Sequence, residues 1–526
     1  MKKLLYIIPM IAVLSFLATS CFKDLDTLPI DPDQVTSASV YENPDAYIQV
    51  LAKLYAGLAV SGQTGPSGNP DISGIDEGFG QYLRGYWYMQ ELTTDEAVIG
   101  WNDQTIKDLH WQTWGASDVF ITAFYYRSIY QVTLCNEFIR ETTDDKLNER
   151  GISAEKKGEI SYMRAEARFL RALSYWHALD CFGNPPFVTE ENTVGAFFPE
   201  QIKRADLFNY IESELLAIQD LLMAPRQNDY GRADKAAVWT LLAKLYLNAE
   251  VYIGQQKYTE CITYCKKVIE AGYTLEPDYQ NLFLADNAQL NEVIFSVNFD
   301  GINTRTWGGT TFIIHAAVGG TMDPAAFGID GGWGGTRTTG AFVDIFGENN
   351  TSDHRAMFYK DGQNKEINDI GSFTDGYAIT KFKNVTRDGA TGSHQTYTDT
   401  DFPMFRLADV YLMYAEAVLR GGTGGSEGTA VDYFNEIRYR AYGNSNGEVS
   451  QIDLERILNE RAKELYWECH RRTDLIRYGL FTGSDYLWPW KGNVKEGIGT
   501  DSKYNLFPIP AADLTANINL VQNPGY

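Results

Sequence analysis

The chain has 526 residues, of which 44% are hydrophobic and 22% charged, proportions that exclude a disordered or membrane-spanning protein and fit an ordinary globular one. Its net charge of −24 would repel nucleic acid and other polyphosphates, which tilts the expectation toward uncharged ligands. Aromatic residues make up 13% of the chain, with 33 Tyr and 11 Trp, enough to fill a core and leave several rings for display.

In chain order, Lys2-Lys3 precede an apolar stretch from Leu4 to Ala18 that is too short for a comfortable membrane span and ends in small residues before a cysteine. Residues 1–20 therefore read as an export signal. Leu17-Ala18-Thr19-Ser20-Cys21 resembles a bacterial lipobox, which makes Cys21 the expected lipidation site. Phe22-Lys23-Asp24-Leu25-Asp26 resembles the Lys-and-acid tract that sends such lipoproteins to the cell surface. Residues 21–40, rich in Pro and Asp, read as an extended tether, and residues 41–526 as a single domain. The remaining cysteines, Cys135, Cys181, Cys261, Cys265 and Cys469, are odd in number and lack metal-type spacing. Cys261 and Cys265, one helical turn apart, read as small buried hydrophobes.

Helical periodicity begins around Asn43 to Val60, followed by a Gly/Pro/Ser loop from Gly62 to Gly80. From Glu155 to Asp180, Met163, Ala167, Leu170, Leu173 and His177 recur at steps of three and four along one helix face. Ala233–Ala249 and Tyr258–Ala271 predict a helix pair, as do Phe405–Leu419 and Thr429–Ala441. Pairs of this kind, about 35 to 40 residues per unit, predict tetratricopeptide-like packing. Between about 290 and 400 the texture changes. Val293–Phe299 and Thr311–Ala316 predict short strands, and 11 glycines fall within Gly301–Gly340. The expected fold is thus mainly α: a scaffold of helix pairs, with a loop-rich region and short strands carrying the ligand site.

Few constellations carry chemistry. There is no His-Glu-x-x-His, no Gly-x-Ser-x-Gly and no phosphate-binding glycine loop after a strand. Asp95-Glu96 and Asp399/Asp401 are the carboxylate pairs that a glycoside hydrolase would have to bring face to face, and sequence adjacency does not establish that separation. One charged helix is predicted over Leu454–Arg477, with Glu460, Glu464 and Glu468 interleaved with arginines, and it reads as interhelix ion pairing rather than a ligand site. Trp101, Trp307 and Trp333 stand out because each sits beside glycine and polar residues, the setting of an exposed platform for the C–H face of a sugar. The competing reading is a pure protein-docking scaffold with all three tryptophans in the core.

Several segments resemble the SusD-like (RagB) outer-surface glycan-binding lipoproteins of Bacteroidetes: Glu91-Leu92-Thr93-Thr94-Asp95-Glu96, Arg168-Phe169-Leu170-Arg171-Ala172-Leu173, Gly231-Arg232-Ala233-Asp234, Phe405-Arg406-Leu407-Ala408-Asp409, Arg472-Thr473-Asp474-Leu475-Ile476-Arg477 and Pro508-Ile509-Pro510. The resemblance runs along the whole chain and is strongest to the starch-binding namesake of the family. It implies a non-catalytic protein, lipid-anchored in the outer membrane and facing the exterior. Such a protein hands oligosaccharide or polysaccharide to a SusC-like TonB-dependent transporter. It also implies that Trp101, Trp307 and Trp333 form an aromatic arc for an α-glucan, starch or maltooligosaccharide, with Arg84, Asn102 and Gln104 bonding hydroxyls. Two departures accompany it, Gln104 in place of an asparagine and Trp307 in place of a tyrosine at the middle platform, and a β-glucan is the alternative ligand. No cofactor is called for. Calcium is the one ion the Asp-rich loops leave open, and no ligand spacing indicates it.

Overall fold

The computed structural model describes residues 37–192, 195–347 and 352–526. The expected signal segment and Cys21, the expected lipidation site, lie outside the described residues, as does the tether apart from Ser37–Val40, which forms one helical turn. Residues 49–526 form one compact unit, and the described residues 37–48 belong to another.

The larger unit is mainly helical, as the periodicity predicts. Its long helices begin where a short polar side chain can take up orphan backbone N–H groups. Asp118 accepts from Phe120 and Ile121 at the start of Val119–Glu141, Ser153 from Lys156 at the start of Ala154–Phe182, and Asp234 from Ala236 and Ala237 at the start of Lys235–Leu247. Val119–Glu141 packs on Ala154–Phe182, which packs on Arg204–Ile218. Lys235–Leu247 packs on Tyr258–Ile269, where the fully buried Ala236, Ala237 and Ala243 help the helices to approach closely.

The next helix against Tyr258–Ile269 is Leu407–Leu419, itself packed on Glu427–Tyr442 and on Leu454–Leu465. The helical stack therefore continues in space across some 135 residues of intervening chain, and the loop-rich region is an excursion from it. Strand Val293–Val297 pairs antiparallel with strand Phe402–Arg406 and closes the neck of that excursion.

Three expectations are corrected. Thr311–Ala316, predicted as a strand, lies in the helix Gly309–Ala317. Every residue of that helix is buried, so it shows no amphipathic period, and its β-branched residues mimic a strand. Phe405 and Arg406 end a strand, and their helix starts only at Leu407. The single helix predicted over Leu454–Arg477 stops at Leu465 and restarts at Arg471. Between them Trp467 and Cys469 adopt left-handed φ values of 63° and 66°. That break is imposed by distant carboxylates: Trp467 N donates to Glu96 Oε2 at 3.1 Å and His470 N to Glu91 Oε1 at 3.0 Å.

The charged residues of this segment form ion pairs with other elements, as read from the sequence. Glu464 receives Arg355 from the excursion at 2.9 Å, Arg406 from the strand end at 2.5 Å, and Arg440 from Glu427–Tyr442. Glu468 binds Arg406 at 2.6 Å and Lys381 at 2.7 Å. All these groups are buried, so the network ties the excursion to the scaffold through the protein interior. Cys261 and Cys265 are buried free thiols with sulfurs 4.0 Å apart.

Candidate functional site

The three tryptophans singled out in the sequence converge. Trp101 and Trp333 have ring centroids 6.2 Å apart with planes at 46°, and Trp333 and Trp307 are 6.1 Å apart at 56°. All three are half-buried. The ring that neighbours both others is Trp333, whereas the resemblance gives the middle place to Trp307.

Local structure explains the convergence. Trp101 follows the short strand Val98–Ile99, which pairs antiparallel with Thr336–Arg337, and Gly100 N donates to Gly335 O at 3.0 Å. Trp307 precedes and Trp333 follows the helix Gly309–Ala317. The backbone N–H groups of Trp333, Gly334 and Gly335 donate to the carbonyls of His315, Val318 and Ala316 at 2.7, 2.9 and 2.8 Å, satisfying the helix end with the Trp333 loop. Gly335 must be glycine: a Cβ there would stand 2.5 Å from Cε2 of Trp101. Arg337, buried behind this loop, donates to the carbonyls of Gly335, Ile370, Ser372 and Asp375, and so binds two loop segments with one guanidinium.

Beneath the rings lies Phe312, fully buried, 6.2 Å from Trp101 with the two planes at 68°. Arg84 sits 4.4 Å over the Phe312 ring, donates from Nε to the Tyr88 hydroxyl at 2.8 Å and from Nη1 to the Trp307 carbonyl at 2.7 Å. Arg84 is placed by Gln81, whose buried Oε1 accepts from Arg84 N at 2.7 Å and from Gly309 N at 2.9 Å, while its Nε2 donates to Leu58 O at 2.6 Å. One amide thus joins the arginine-bearing helix to the helix between the two tryptophans. Helix Tyr82–Trp87 runs directly into a π-helical turn, Tyr88–Leu92, a feature that recurs at functional sites.

Asn102 and Gln104 are exposed and bonded locally, Asn102 Oδ1 accepting from Lys107 Nζ at 2.5 Å and Gln104 donating to Asp108 at 3.0 Å. Among the described residues neither is hydrogen-bonded to Arg84 or to an indole.

Sequence reasoning missed several groups. Tyr397 lies 5.1 Å from Trp307, with Arg305 5.9 Å over its ring, and extends the row of aromatics to four. It sits in a polar loop, as Trp333 does in a glycine-rich one, but among 33 tyrosines that signal selects nothing. His315 stacks on the Trp333 ring at 5.0 Å and 24°, with Nδ1 2.6 Å from the Gly331 carbonyl. Burial lowers the His315 pKa below the ordinary histidine value, so its ring is neutral at pH 7 and Nδ1 is the donor. The arc is therefore backed by an uncharged aromatic ring.

The carboxylates considered for hydrolysis have internal partners. Asp95 accepts from Nε and Nη2 of Arg471, each at 2.8 Å, Asp401 accepts from Phe299 N and the Tyr230 hydroxyl, and Asp399 accepts from Gly301 N. Among the described residues there is no cluster of three or more His, Cys, Asp or Glu that could hold a metal ion, and no helix is long and apolar enough to cross a membrane.

The chain is 37% identical to the starch-binding protein SusD of Bacteroides thetaiotaomicron, over 100% of its own length and 99% of that protein. It belongs to the SusD family. The SusD family model itself matches residues 346–526. A SusD-like protein P25 of Formosa agariphila is 26% identical, over 81% of this chain and 82% of its own. The fold is that of the SusD superfamily. A member from Parabacteroides distasonis superposes with a TM-score of 0.71 at 22% identity, covering 94% of this chain and 100% of its own. Surface glycan-binding protein A of B. thetaiotaomicron, solved with laminarihexaose, gives a TM-score of 0.69 at 20% identity over 91% of this chain and 99% of its own.

Proposed function

We propose that this SusD-family protein captures an α-glucan, starch or maltooligosaccharide, on the arc of Trp101, Trp333 and Trp307, without cleaving it. Arg84, Asn102 and Gln104 bond the sugar hydroxyls. The captured chain passes to a SusC-like TonB-dependent transporter, from a protein held on the exterior face of the outer membrane by lipid at Cys21. Residues 41–526 act as one binding domain in this reading.

The observation that carries the proposal is the convergence of three half-buried indoles at 6.1 and 6.2 Å over an arginine. A sugar ring presents C–H faces edged by hydroxyls, which such a surface matches with stacking area and rim donors. One aromatic contact contributes about 0.5–1.5 kcal/mol, so a row of three or four is what makes useful affinity. The 37% identity to a starch-binding relative, along the whole chain, favours an α-glucan over a β-glucan.

Native gels cast with amylopectin, laminarin or dextran test the ligand class. Retardation in amylopectin is expected, and retardation only in laminarin would shift the assignment to a β-glucan. No reducing ends should appear when the protein is incubated with the same polymers; their release would make it a hydrolase.

A further inference from the structure

A cleft of about 380 Å³ opens beside the arc, within the size range of small-ligand sites at about 300–1,000 Å³. Residues 53–65 form one wall and residues 302–305 the other. Two residues connect it to the arc. Ser67, in the loop that continues the first wall, accepts from the Trp307 indole N–H at 3.3 Å. Arg305, in the second wall, lies 5.9 Å over the ring of Tyr397, which itself stands 5.1 Å from Trp307. The cleft therefore begins where the row of aromatics ends.

The chain has 69 acidic residues to 45 basic ones, so a guanidinium without a carboxylate partner is out of the ordinary in it. Among the described residues the Arg305 guanidinium forms no hydrogen bond and no ion pair, and it is held over the Tyr397 ring instead. The Tyr397 hydroxyl and the Gln63 side-chain amide are likewise without a hydrogen-bond partner among those residues. Lys53, which also lines the cleft, is paired with Asp71 at 2.8 Å. Val60 and Ile302 add apolar surface, the latter 49% exposed.

We infer that an α-glucan held by the arc runs on past Trp307 into this cleft, where Arg305 and Gln63 hydrogen-bond its hydroxyls, so that the protein prefers long chains to short ones. This extension rests on the function proposed above. The inventory of groups selects the ligand. Arg305 only donates, whereas the Gln63 amide and the Tyr397 hydroxyl both donate and accept. One free cation on a chain of net charge −24 is a poor trap for an anion. Hydroxyls around a ring with C–H faces match the donors, the acceptors and the apolar side chains together. A chain already anchored on the indoles presents its next units at high effective concentration, so contacts here add to affinity without a second cost of association. Arg305 is the binding residue. Tyr397 is a positioning residue, which keeps the guanidinium at the mouth of the cleft.

Calorimetric titration of the mature chain with maltotriose and maltoheptaose tests the extension, on wild type, Arg305→Ala and Tyr397→Ala. Wild type should bind maltoheptaose more tightly than maltotriose. In Arg305→Ala the maltoheptaose affinity should fall about fivefold, the worth of one hydrogen bond, with maltotriose affinity unchanged. Tyr397→Ala should narrow the same ratio of affinities, and an unchanged ratio would remove its positioning role. Maltoheptaose affinity that ignores Arg305→Ala, or an equal loss for both ligands, would overturn the extension while leaving the arc in place. Binding of neither probe by wild type would sink the function proposed above and the extension with it. Arg305 is exposed, so the melting temperature of its variant should match that of wild type.

Discussion

Trp101 donates its indole N–H to the backbone carbonyl of Trp333 at 3.2 Å, so one ring of the arc is fixed by the main chain of the next. Trp101→Phe keeps an aromatic face and loses that hydrogen bond, worth about 0.5–1.5 kcal/mol. Glucan affinity should fall roughly three- to tenfold by calorimetry, with little change in melting temperature because the ring is half-exposed.

Gly335 lies under the same indole. Gly335→Ala drives a methyl group into the Trp101 ring, which must swing away. Overpacking of this kind costs about 1–3 kcal/mol. Retardation in an amylopectin gel should be lost in this variant and kept in Gly331→Ala, where a Cβ meets nothing within 4 Å.

Gln81 is buried, and its amide serves Arg84, Gly309 and Leu58 at once. Gln81→Leu leaves three main-chain groups without a partner. The expected loss is about 3 kcal/mol or more in urea unfolding, at about 1–3 kcal/mol per orphaned group.

What the sequence revealed and what it hid follow from the range of the interactions. The helix pairs were legible because Leu170, Leu173 and their neighbours repeat at the helical period within one element. Trp101, Trp307 and Trp333 were legible as a set through their glycine neighbours and the family resemblance. Their contacts were not, because Val98–Ile99 finds its partner strand more than 230 residues away. The break at Trp467 and Cys469 escaped for the same reason, since the carboxylates of Glu91 and Glu96 that hold it are remote in the chain. Gln81 carries no local signal at all, because its role appears only when three segments meet.

Glu464 gives the pH dependence. Burial alone would raise its pKa; Arg440, Arg406 and Arg355 override that and hold it at about 2, against 4.5 for an ordinary glutamate. The unfolded chain therefore takes up this proton first as pH falls. The stability it confers is present above about pH 4.5 and is lost toward pH 2. Glu464→Gln should cost about 3–5 kcal/mol at pH 7. The gap between wild type and variant in denaturant unfolding should close as pH falls through that window.

In the proposed function three converging indoles form the glycan cradle, and Trp333 neighbours both of the others. Calorimetric titration of the mature protein and of Trp333→Ala with maltoheptaose tests this most directly. Saturable binding by wild type, abolished in the variant while its melting temperature is retained, is the predicted result. Equal affinity in the two proteins would contradict the claim.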